Sequence, residues 1–387
     1  MTSVRVCVGV AALVAMSVAG AQKPAVSGRF VLESRNGSRE LTGYQGRDAS
    51  VFAADRNGRL VVADNATGTL RIMAGGRLRG HSTFRYAVKI GLRQDEVWAA
   101  DPIAGTVQVF DSIGRRIHEF EGLSFQDPAG AVGEGPWAML SDGTFILTPS
   151  YLPAFLPVGV AANGYFIRVD RAGRVLDTLF ATSFRRRTLG SGSDTVAVSE
   201  LSRNPLIAVD PTGRFVVTTV RVDSGASEGY IGLVVRRDIE ENTIKRWRFS
   251  APSVRNPESA VRRLARADSF TLASHYPGAE VSVDSLVIQR GFPKYREPVA
   301  DLLVTSDGNV WLEVIDPLGR AWWEALDNAG NACAKFLSPP NVRITEIDNW
   351  LAWGVERRAS PPADEIRRYR LVVGSAVLPQ ASFCANP

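Results

Sequence analysis

The chain has 387 residues and a formal charge of +5, from 45 Lys and Arg against 40 Asp and Glu. That is weakly basic for the size, so the runs at 185–187 and 262–263 (all Arg) are read as solvated surface, and no nucleic-acid partner is expected. The length is ample for a large core and exceeds the ~100–200 residues of an ordinary domain, which repeat folds commonly do as one unit.

The N-terminus comes first in chain order. Arg5 is followed by an apolar run over 6–18 and then Ala19-Gly20-Ala21. A positive start, a short apolar core and a small-x-small site are the parts of a secretory signal. The run is shorter than the ~20 residues a helix needs to span a bilayer. Cleavage is expected after Ala21, and Cys7 lies inside the apolar core, where a lipoprotein cysteine does not. The expected organisation is therefore a signal peptide over 1–21, a folded body over 22–374 and a tail over 375–387. Removing Arg5 leaves a charge of +4 (5 − 1). The expected location is secreted or periplasmic, with no membrane span after cleavage and a monomeric state. Cys333 and Cys384 remain as a pair, which in an oxidising compartment is expected to form one disulfide.

From residue 55 the chain writes one pattern twice. Arg59-Leu-Val-Val-Ala-Asp64 followed by Gly68-Thr-Leu-Arg-Ile72 is matched by Glu96-Val-Trp-Ala-Ala-Asp101 and Gly105-Thr-Val-Gln-Val-Phe110, so Asp64 and Asp101 are 37 residues apart (101 − 64). Short apolar runs bounded by Asn57-Gly58, Gly75-Gly76 and Ile113-Gly114 read as strands joined by hairpins. A third unit turns at Asp142-Gly143 and carries a long apolar loop over 149–160; a polar connector spans 181–204. A fourth starts at Asp210-Pro-Thr-Gly213, a fifth resumes near Pro298 with Asp307-Gly308, and a degenerate sixth runs over 342–373. Between the fourth and fifth, residues 257–267 have helical spacing after Pro257, and 281–289 read as a strand. A lone strand at 28–34 is expected to complete the sixth unit and close the ring, since a propeller thereby removes an exposed edge. The fold expected is all-β, a six-bladed β-propeller of four-stranded antiparallel blades with a short helical insertion.

The paired Asp64 and Asp101 motifs resemble NHL repeats, within the wider group of six-bladed TolB-like propellers. The resemblance covers the first two units well and residues 307–330 fairly. It implies the fold. It carries no activity by itself, because members bind proteins, RNA or sugars and a few are lyases or lactonases.

The candidate chemistry is thin. Asp64 and Asp101 are read as bonding their own loop amides rather than a metal. His81 and His118 follow the last hairpin of their units, which puts them on the rim, where they diverge; with only His275 as a third, no zinc site is expected. Gly225-Ala-Ser227-Glu-Gly229 has a G-x-S-x-G spacing, but the β-rich run after it does not supply the helix that motif needs. Glu134 and Glu200 lie near strand starts with nothing to distinguish them. The 149–160 loop is the least ordinary feature: Tyr151, Leu152, Phe155 and Leu156 form either a lid on the propeller or a surface that meets a partner. The reading that follows is a non-catalytic exported module binding a protein, peptide or glycan, with no catalytic residue, metal or cofactor. The alternative is a metal-dependent lyase or lactonase with its site at the central channel.

Overall fold

The computed structural model describes residues 26–32, 45–46, 51–54, 59–74, 77–87, 89–123, 125–126, 132–149, 155–157, 163–183, 186–189, 196–199, 206–221, 230–275, 282–290, 295–296, 298–327, 330–348, 351–357, 364–373 and 376–377. β1 (Val26–Leu32) and β2 (Gln45–Gly46) precede the repeats. The first unit is the antiparallel meander β3 (Val51–Ala54), β4 (Arg59–Asp64), β5 (Thr69–Ala74) and β6 (Arg77–Thr83). The second is β7 (Lys89–Arg93), β8 (Glu96–Asp101), β9 (Thr106–Phe110) and β10 (Arg116–Phe120). The third contains β11 (Phe125–Gln126), β12 (Val132–Met139), β13 (Phe145–Pro149), β14 (Phe155–Pro157), β15 (Asn163–Val169) and β16 (Val175–Ser183). Of these, β14 leaves the sheet and joins a hairpin of β17 (Arg186–Leu189) and β18 (Val196–Ser199). The fourth is β19 (Ile207–Val209), β20 (Phe215–Arg221), β21 (Tyr230–Asp238) and β22 (Thr243–Ala251). An insertion follows, with β23 (Val254–Arg255), α1 (Glu258–His275), α2 (Val283–Arg290) and β24 (Tyr295–Arg296). The fifth is β25 (Val299–Val304), β26 (Val310–Ile315), β27 (Ala321–Leu326) and β28 (Ala332–Leu337); the last holds β29 (Val342–Asp348), β30 (Leu351–Arg357), β31 (Asp364–Val373) and β32 (Ala376–Val377).

The strand expected to close the last unit does so. β1 pairs antiparallel with β31, from Gly28 opposite Val373 to Leu32 opposite Tyr369. It also pairs in parallel with β28 of the fifth unit, which the sequence did not suggest, and so merges two units into one sheet. Phe30 anchors this seam, its ring 5.6 Å from Phe336 and 6.3 Å from Tyr369.

Burial falls from the second strand of a unit to the fourth. In β4 and β8 five of six residues are buried, whereas β6 and β10 contain no buried residue. A strand buried on both faces needs neighbours on both, and the core clusters supply them. One joins Val61, Leu70 and Ile72 of the first unit to Ile90, Leu92 and Phe110 of the second. Another joins Val217 and Val234 of the fourth to Leu312 and Val314 of the fifth. A third joins Val62 of the first to Trp353 and Ile366 of the last.

The hairpins closing these sheets share one device. At Asp111, Asp170, Asp210, Asp316 and Asp327 an aspartate is followed three residues on by Gly114, Gly173, Gly213, Gly319 and Gly330, with φ of 87, 76, 76, 82 and 86°. The positive φ requires glycine, and the aspartate fixes the turn by accepting amide protons, as from Arg115 at 2.8 Å and Arg174 at 2.9 Å.

Two expectations are corrected. A helix, α2, stands over 283–290 where a strand over 281–289 was expected: Ser282 Oγ accepts the Ser285 amide at 3.1 Å as an N-cap, Leu286 is fully buried, and α2 packs on α1. Val281 and Val283 with the run Leu286-Val287-Ile288 imitated a strand, and the cap was the signal that separated the two. The 181–204 connector and the 149–160 loop are also not plain loops, since they meet as the sheet of β14, β18 and β17. Both segments, and the helices, lie in connections from a second to a third strand or from one unit to the next. In an antiparallel meander these connections emerge at the same end, so the accessory elements share one face, where α2 packs on β17.

Candidate functional site

The first strands of all these units meet around one cavity of about 270 Å³. Its wall takes Val51–Ala53 from β3, Lys89–Gly91 from β7, Trp137 from β12, Ile207–Val209 from β19, Asp301–Val304 from β25, and Arg343 with Thr345–Ile347 from β29. Gly91 faces Trp98 across the β7–β8 ladder, and a Cβ there would stand 2.2 Å from the indole; glycine is what lets Trp98 lie against the wall.

Lys89 opens β7 and carries its ammonium into this space, with Nζ 4.0 Å from the centre of the Trp137 ring. Burial lowers its pKa from 10.5 to about 8, partly offset by the carboxylates of Glu346, Asp210 and Asp301. Those carboxylates attract from a distance: among the described residues none lies within 4 Å of Nζ, and no acceptor hydrogen-bonds it.

The carboxylates are held by the fold. Glu346 Oε2 accepts the Ala54 amide at 2.6 Å, tying the last unit to the first. Asp301 accepts from the Leu302 amide at 2.9 Å and from Arg343 Nη2 at 3.2 Å. Asp210 is buried at the foot of β19, where it accepts from Phe215 N at 2.6 Å, Thr212 N at 2.9 Å and the Thr212 hydroxyl. Burial raises its pKa against the pull of these bonds. The result is a small, largely polar space with one ammonium that no described acceptor pairs and several fixed acids, an arrangement that can orient a polar ligand through charge and hydrogen bonds.

The residues singled out from sequence lie elsewhere. Asp64 Oδ1 accepts the amides of Ala66 and Thr67 at 3.1 and 3.2 Å, and Asp101 Oδ1 those of Ile103 and Ala104, both at 3.0 Å; each builds its own loop, as read. His81 and His118 sit exposed on the outer strands β6 and β10. His275 ends α1, and among the described residues no three His, Cys, Asp or Glu are grouped as metal ligands. Phe155 and Leu156 are in β14, opposite Val198 and Ala197. Glu134 is in β12, opposite Thr148. Tyr151, Leu152, Glu200 and residues 225–229 lie outside the described residues. Cys333 is on β28 and half-buried; Cys384 lies outside the described residues. The cavity residues Lys89, Trp137, Asp301 and Glu346 were missed. The available signal was a charge inside the first strand of a unit, as in Val299-Ala-Asp301 and Ile344-Thr-Glu346, where β3 has none.

Repeated four-stranded sheets around a shared cavity define a β-propeller, and no helix among the described residues is long and apolar enough to cross a membrane. No protein-family profile and no curated protein matches the chain. Among solved structures it is similar to a Bacteroides fragilis protein assigned as exported, at TM-score 0.45 and 9% identity, over 90% of this chain and 95% of that one. It is also similar to a streptogramin B lyase (TM-score 0.37, 9% identity, 88% of this chain and 97% of that one). A virginiamycin B lyase from Staphylococcus aureus is comparable (TM-score 0.37, 10% identity, 89% and 100%). The propeller assignment rests on the sheet order, not on these scores.

Proposed function

We propose that the chain is an exported six-bladed propeller of the NHL and TolB-like type, which binds a protein, peptide or glycan without transforming it. The observation that carries this reading is the state of the cavity acids. Asp210, Asp301 and Glu346 are each committed to backbone amides or to Arg343, which makes them fixed acceptors rather than a base free to move a proton. The accessory strands β14, β17 and β18 and the helices share one face with each other, and a partner-binding role for Tyr151, Leu152, Phe155 and Leu156 belongs to this reading. A bridge from Cys333 to Cys384 belongs to the same picture of an exported chain, fixing the tail to the fifth unit.

The test is elemental analysis and partner capture on the mature protein. Binding with a 1:1 stoichiometry, the ligand recovered chemically unchanged, is the expected result. A stoichiometric divalent metal retained through dialysis, with turnover of a bound lactone or ester, would overturn the reading.

A further inference from the structure

We propose that the cavity is a receptor for a free α-amino acid, with the ligand carboxylate on Lys89 and the ligand ammonium toward Asp301 and Glu346. This rests on the non-catalytic reading above and adds to it a small ligand in the cavity, separate from the macromolecular partner proposed there.

The first ground is Lys89 itself. Its ammonium lines the cavity on a half-buried side chain, and among the described residues it has no hydrogen-bond acceptor; the Trp137 face covers one side only. An ammonium held partly away from water and given no acceptor by the protein is costly, and a ligand oxygen reduces that cost. A carboxylate does so best, because charge-assisted bonds are roughly twice as strong as neutral ones.

The second ground is the sign of the surroundings. Lys89 and Arg343 oppose Asp210, Asp301 and Glu346, a net charge of −1 (2 − 3) on the lining. A simple anion gains Lys89 but meets the acids; a simple cation gains the acids but meets Lys89. A ligand carrying both signs a few ångströms apart satisfies both, and Asp301 and Glu346, pinned by Arg343 and Ala54, cannot swing away from it.

The third ground is size. About 270 Å³ is below the ~300–1,000 Å³ of drug-sized pockets, which suits one amino acid and excludes an oligosaccharide or a folded partner from the cavity itself. The Trp137 ring, over which Lys89 Nζ lies, provides an apolar face for the ligand side chain.

The experiment uses the mature full chain. The twenty common L-amino acids and glucose are screened by thermal shift at about 10 mM, and the best amino acid is titrated calorimetrically beside its methyl ester and its N-acetyl derivative. The expected result is saturable binding of at least one amino acid and at least ~tenfold weaker binding of both capped forms. Lys89→Met should lose the amino acid while keeping or tightening the methyl ester. The capped-ligand comparison needs no variant, so it decides even where Lys89→Met folds poorly. No shift with any amino acid, equal binding of either capped form, or preferential binding of glucose overturns the proposal. Any of these leaves the non-catalytic reading standing, whereas conversion of a bound ligand sinks that reading instead.

Discussion

Replacing Lys89 by Met should stabilise the protein at neutral pH. The ammonium's pKa falls from 10.5 to about 8 on folding, chiefly because burial strips its water. At about 1.36 kcal/mol per pK unit the charged form costs roughly 3 kcal/mol. Methionine keeps the length of the stem and removes the charge. That shift already nets the attraction of Glu346, Asp210 and Asp301 against burial, so a gain of roughly 3 kcal/mol is the expected figure. The pH dependence follows from the sign of the shift. Below pH 8 both states of the wild type are protonated and the cost is fully present. Between about 8 and 10.5 the unfolded chain binds the proton that the folded chain has released, so wild-type stability rises with pH. The advantage of the variant should therefore be largest at pH 7 and largely gone by pH 10.5. Urea unfolding of both proteins at pH 7, 8, 9 and 10.5 measures this difference directly. A Met variant less stable than wild type at pH 7, or a difference that stays flat across the series, refutes the account of Lys89 as an unpartnered buried cation.

Phe30→Ala should cost about 2–3 kcal/mol, less than the 3–5 of a fully buried phenylalanine because Phe30 is only half-buried; an unfolding midpoint that does not move would show that β1 contributes little to the seam. Non-reducing denaturation with thiol labelling should find no free thiol in the mature chain, and Cys333→Ser should lose up to ~4 kcal/mol for a closed loop of 51 residues (384 − 333). Labelled thiols, or a covalent dimer, would exclude the intramolecular bridge. Replacing Tyr151 and Phe155 together by Ser should weaken capture of a macromolecular partner with little change in melting temperature; a large stability loss would identify the segment as a packed lid.

Much of the architecture is written locally, and that part was legible in the sequence. A hairpin of this kind needs Gly at its fourth position and is favoured by Asp at its first, residues within one short stretch of chain, so the turn at Asp210 is visible in the residue order itself. The in-copy spacing of Asp64 and Asp101 likewise revealed the repeat, and the repeat assigned His81 and His118 to the outer strands where they lie. The lone strand at the N-terminus found its partner because an unfinished last unit leaves an edge that must be covered. What stayed hidden is what depends on distance in sequence. The pairing of β14 with β18 joins two segments about forty residues apart (196 − 157 = 39) that each read as loop. α2 spans only 8 residues, too short for its apolar spacing to separate helix from strand. The cavity is the extreme case, since Lys89 and Glu346 come from strands 257 positions apart (346 − 89) and neither neighbour in sequence marks them. Only ring geometry turns the first strand of every unit toward one axis, and so decides that a single lysine is enclosed among acids it attracts but does not touch.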